Sequence, residues 1–159
     1  KPVRQIRQGM DQIMAGNFHI RIPYIEGENS HNEFDDIIKK AKTAHTNWIK
    51  TADQMVKDMK IRPLQLNCRK CAFGHYYYAV PIKNPVIADE WGEIEKLHAE
   101  FHEKGHFIIS AIQNGNEEKA RECMEEIKTS SVELIRILDD VSKAVEQFTK
   151  EGKSVFALT

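Results

Sequence analysis

An all-helical bundle is the fold this sequence predicts, and three observations predict it. Three long segments repeat apolar residues at alternating steps of three and four. Prolines and an Asn-Gly-Asn turn fall between those segments. Hydrophobic residues supply 41% of the chain and charged residues 30%, a balance that suits a modest helical core ringed by solvated faces.

The first long stripe runs Phe34, Ile38, Ala41, His45, Trp48, Ala52, Met55, Met59. The second runs Trp91, Ile94, His98, Phe101, Gly105, Ile108, Ile112. The third runs Ala120, Met124, Ile127, Ser131, Leu134, Leu138, Val141, Val145, Phe148. Each set lies on one face of a helix. Pro63 follows the first stripe, and Pro81 and Pro85 precede the second. The turn at Asn114-Gly115-Asn116 is short enough to make the last two helices antiparallel neighbours. Between Pro63 and Pro81 a short helix or turn, containing NCRKCAFGHYYY, is expected to lean on the bundle. The expectation is an antiparallel bundle of the four-helix type with a long N-terminal helix.

The lead-in differs. Pro2, Val3, Ile6, Met10 and Ile13 form a short stripe stopped by Gly16-Asn17, and an extended piece, FHIRIPYIEGENS, leads to Asn32-Glu33-Phe34. A helix, a stop, a connector and a second helix cannot bury both apolar faces within one copy, which predicts a parallel homodimer. Two regions follow: a helix-connector segment over residues 1–36 and a helical bundle over residues 37–159.

Composition excludes several functions. A formal net charge of -1 offers no footprint for nucleic acid or an anionic membrane surface. No apolar run is long enough to span a bilayer, and no secretory signal pattern is visible, so no direct membrane insertion of this piece is expected. The chain starts at Lys1, which predicts that it is part of a longer protein. Three cysteines, Cys68, Cys71 and Cys123, are too few for a disulfide framework and point to a reducing, cytoplasmic setting.

Two stripes carry histidine where an aliphatic residue belongs: His45 in the first, His98 in the second. A single buried imidazole is most simply a core histidine with its nitrogens bonded. Here His102 sits one turn beyond His98 on the same side of its helix, and a cysteine pair is available nearby. Two imidazoles one turn apart can reach one ion, and four nitrogen and sulfur ligands suit zinc at about 2.0–2.1 Å for nitrogen and about 2.3 Å for sulfur. Two ligand sets remain open: Cys68, Cys71, His98, His102, or His45, Cys71, His98, His102. The second explains why His45 interrupts a core stripe. Ala99 stands where zinc proteases carry their general-base glutamate, and four protein ligands leave no open position, so an enzyme is not expected. His106, His75, His19 and His31 are expected at the surface or behind the ligands. Tyr76, Tyr77 and Tyr78 are expected to pack on the bundle end.

AHTNW at residues 44–48, Cys71-Ala72-Phe73-Gly74-His75-Tyr76 and LHAEFH at residues 97–102 resemble the CZB family, the chemoreceptor zinc-binding domain of bacteria. The resemblance spans roughly His45 to Val141. It implies a helical bundle binding zinc through His45, Cys71, His98 and His102, and a regulatory role in signal transduction such as chemotaxis, with response to zinc or to oxidants such as hypochlorous acid. Pro2, Ile6, Met10, Gly16-Asn17-Phe18, Arg21-Ile22 and Asn32-Glu33-Phe34 resemble a HAMP segment, the helical relay of bacterial transmembrane receptors. Together the two resemblances imply further domains in the parent protein and an anchor in the inner membrane.

Overall fold

The structure, a computed structural model, describes residues 29–79, 82, 84, 85 and 87–152. The HAMP-like lead-in lies outside them up to residue 28. Among the described residues there are four helices and no strand: α1 (Asn29–Asp58), α2 (Ala72–Ala79), α3 (Ala88–Gln113) and α4 (Glu117–Lys150).

Side-chain pairs fix the directions. Asp35 meets Ser142, Lys42 meets Asp139, His45 meets Ser131 and Asp53 meets Lys128, so α1 and α4 run antiparallel. Lys104 on α3 meets Glu126 on α4, the antiparallel pairing that the short turn predicts. On α1 and α3, Phe34 packs on Trp91 and Trp48 on Phe101, which makes those two helices parallel. The chain between them must therefore return along the bundle. It does so as an extended piece followed by α2, placing Gln65 beside His102, Cys71 beside His98 and Tyr77 beside Trp91. This return fills the fourth column, so the fold is the expected four-helix type with one column only partly helical.

Helix ends follow local chemistry. Asn116 caps α4 by accepting the Lys119 amide, and Glu117 and Glu118 occupy the first turn, where the helix dipole favours negative charge. Gly115, at φ 65, closes α3 with its amide donating to Ile112 and the Asn116 amide donating to Ala111, a left-handed stop that glycine adopts without steric cost. Met59 does the same for α1 at φ 49, where the Lys60 amide reaches back to Met55.

The core is in two parts. One holds Phe34, Ile38, Ala41, Trp91, Ile94, Leu134, Leu138 and Val141. The other holds Trp48, Ala52, Met55, Phe101, Ile108, Ile112, Met124 and Ile127. All three predicted stripes supply these residues, each fully buried large side chain contributing about 1.5–3 kcal/mol of transfer free energy. Between the two parts, at the level of residues 45, 98, 102 and 131, lie the buried polar side chains of the described chain: His45, His98, His102 and Ser131.

Candidate metal centre

The polar layer is built from three directions. α3 supplies His98 and His102 one turn apart, with ring centroids 4.7 Å from each other. The returning chain supplies Cys71, which caps α2. Its carbonyl accepts the His75 amide at 3.0 Å and its sulfur accepts the Gly74 amide at 3.2 Å. α1 supplies His45. Gly74 lets the turn close: a Cβ there would lie 1.8 Å from the Cys68 carbonyl oxygen. Gly105 admits the Leu66 and Trp48 side chains in the same way, whereas Gly92 faces open space.

Cys71 Sγ lies 3.2 Å from His98 Nε2, and His98 Nε2 lies 3.1 Å from His102 Nε2. The three ligand atoms are all within 4.8 Å of one another. Ligands at zinc bond lengths in a tetrahedron sit about 3.3–3.6 Å apart, so the cluster is already close to that spacing. His102 Nδ1–H donates to the Gln65 carbonyl at 2.8 Å, which leaves Nε2 with its lone pair toward the cluster. The same carbonyl accepts Trp48 Nε1–H at 2.7 Å, pinning the extended chain to α1.

Burial sets the protonation. It pushes His98 down to about 3, with His102 and His45 adding to the effect, and His45 down to about 4, with His102 adding. His102 is also lowered by burial, against the opposing Gln65 hydrogen bond. Neutral imidazole, the metal-binding form, therefore prevails at neutral pH. Burial raises the Cys71 thiol, opposed by the amides of Gly74 and Phe73. Without a cation this sulfur keeps its proton, and the S–H points to the Cys68 carbonyl at 3.3 Å.

Of the expected ligands, Cys71, His98 and His102 come together. His45 is in the same layer but outside that group: its Nε2 is 3.1 Å from Ser131 Oγ, and its ring lies on Phe101 with centroids 3.9 Å apart. The Cys68 thiol is also outside the group and contributes a backbone carbonyl instead. His75 and His106 are exposed, Cys123 is buried in the apolar core, and His19 lies outside the described residues. Tyr77 stacks on Trp91 and donates to its carbonyl at 2.8 Å; Tyr78 donates to Glu95, with Arg69 over its ring. Three contributors went unread in the sequence. Ser131 had a signal, a polar residue in an apolar stripe. Trp48 reads as a packing residue of its stripe, and Gln65 acts through its backbone and leaves no signal.

Two buried imidazoles and a half-buried thiol gathered in one layer of a helical bundle define a helical domain with a candidate metal centre. Residues 45–109 match the family model of the chemoreceptor zinc-binding domain, CZB. The matched span carries His45, Cys71, His98 and His102. No curated protein and no solved structure gives a significant match. The family implies zinc, and the donor set fits that ion: soft sulfur with neutral imidazole, a fixed His102 tautomer and few oxygens. No helix among the described residues is long and apolar enough to cross a membrane.

Proposed function

We propose that this chain is a zinc-binding sensory domain of a bacterial signal-transduction protein, with His45, Cys71, His98 and His102 as the four ligands. The observation that carries the reading is the meeting of Cys71 Sγ, His98 Nε2 and His102 Nε2 within 4.8 Å, the two histidines buried and the cysteine half-buried. His98 and His102 present neutral nitrogens from one helix face. Gln65 and Trp48 hold His102 in its tautomer and orientation. Cys71 offers sulfur from a helix cap whose amides favour its charged form. Zinc, when bound, supplies the positive charge that keeps this sulfur as thiolate.

Such a site regulates rather than catalyses, because four protein ligands leave no position for substrate. The signal is the zinc level, or an oxidant such as hypochlorous acid that converts the Cys71 sulfur to sulfenic acid and weakens its hold. Either event alters how the returning chain is tied to α3. The HAMP-like lead-in, a parallel homodimer and further domains of a parent anchored in the inner membrane would carry that change onward. Sedimentation of the purified chain tests the dimer; a monomer at high concentration removes it from the scheme.

Metal content by mass spectrometry tests the site. The wild type and Cys68→Ala are expected to hold about one zinc per chain, Cys71→Ala to lose it, and His45→Ala to bind it more weakly. Zinc kept by His45→Ala but lost by Cys68→Ala would replace the set with the two-cysteine one. A chain that takes up no added zinc would refute the reading. One observation favours a second reading, a metal-free structural dimerisation module: among the described residues no buried side-chain nitrogen or oxygen lacks a hydrogen-bond partner. That reading expects a chelator to leave stability unchanged.

A further inference from the structure

Ser131 is the buried polar residue of the layer that the ligand set does not use. It is 5% exposed and lies on α4 between Ile127 and Leu134, both in the apolar core. Among the described residues most helical hydroxyls with a bond turn back on their own helix: Thr43, Thr46 and Thr51 on α1, and Thr129, Ser130 and Thr149 on α4, each bond the carbonyl four residues earlier. Ser131 does not. Its hydroxyl crosses to α1 and meets His45 Nε2 at 3.1 Å. His45 in turn lies outside the cluster formed by Cys71, His98 and His102.

We infer that Ser131 is a positioning residue that competes with the metal for His45. This rests on the reading of His45 as the fourth ligand. Ser131 holds the imidazole on the α4 side of the layer. When His45 joins the other ligands, its ring turns on the Phe101 face and leaves Ser131. The freed hydroxyl then has the Ile127 carbonyl within one turn, the arrangement its neighbours already use. Metal occupancy thus breaks one buried tie between α1 and α4 and leaves those of Asp35 with Ser142 and Asp53 with Lys128 in place. Ser131 sets how readily the fourth ligand is released, and so tunes affinity without touching the ion.

The test is zinc affinity of the full chain by competition with a chromophoric chelator at neutral pH, for wild type, Ser131→Ala, His45→Ala and the double variant. Removing the competing hydrogen bond should tighten zinc roughly threefold to tenfold, the size of one net buried hydrogen bond. The gain should vanish in the His45→Ala background. Nitrogen chemical shifts of the His45 ring, measured without metal, give an independent readout: Ser131→Ala should move the Nε2 signal, and zinc should move it in wild type. If His45→Ala weakens zinc while Ser131→Ala leaves it unchanged or weaker, the competition is wrong and the four-ligand reading stands. If His45→Ala changes nothing, the four-ligand reading fails and this inference falls with it.

Discussion

His45 and His98 resist protonation because each is buried among other imidazoles, and that makes the metal-free bundle sensitive to acid. Their values in the folded state, about 4 and about 3, lie below the ordinary 6.5. The unfolded chain therefore takes up protons first as pH falls, so their stabilising effect is complete above 6.5 and is lost progressively down to 4 and 3. Each group should remove roughly 2 kcal/mol by pH 5, at about 1.4 kcal/mol per unit. Urea unfolding of the chelated protein between pH 7 and pH 5 checks this, and a flat midpoint would mean the imidazoles are not buried as described. At this scale the sequence was legible where a side chain departs from its stripe. His45 and His98 stand out because a helix face otherwise apolar leaves them no reason to be there. Gln65 does not, because any residue supplies a carbonyl, and only the path of the chain decides which one meets His102.

The elements depend on a few backbone positions. Adding a methyl at Gly74 would drive it into the Cys68 carbonyl, so Gly74→Ala must open the Cys71 turn. Zinc affinity is expected to fall by more than about tenfold, with helix content by circular dichroism nearly unchanged, since losing one ligand's placement costs more than about 1.4 kcal/mol of binding. Gly115 is the contrasting control. It has open space around it but a φ of 65, so Gly115→Ala should lower stability by about 1 kcal/mol through strain alone and leave zinc affinity as it was. The long helices were readable from periodicity and from Pro63 and Asn114-Gly115-Asn116. The stop at Met59 was not, because a left-handed methionine carries none of the signal that glycine does. The course of residues 60–67 was also hidden: a segment without periodicity does not reveal which neighbours it follows.

At the scale of the molecule the proposed site joins α3, the returning chain and α1, so ligand binding and bundle stability are linked. Free zinc at one hundred times its dissociation constant should add about 2.7 kcal/mol, seen as a rise in Tm that a chelator reverses. A Tm indifferent to zinc would place the ion, if bound at all, elsewhere. The all-helical class and the antiparallel α3–α4 pair followed from the stripes and the short turn. The parallel relation of α1 and α3 did not, since it depends on long-range contacts that no local pattern encodes. That relation has a consequence for cutting the chain. The return begins at Lys60, Ile61, Arg62 and Pro63, all exposed. Trypsin would cleave after Lys60, and after Arg69 or Lys70 in the exposed turn before α2, and spare Arg62, whose next residue is proline. The nicked protein would then hold His45 on one piece and Cys71, His98 and His102 on another, with zinc, on the proposed ligand set, acting as a bridge between separate chains.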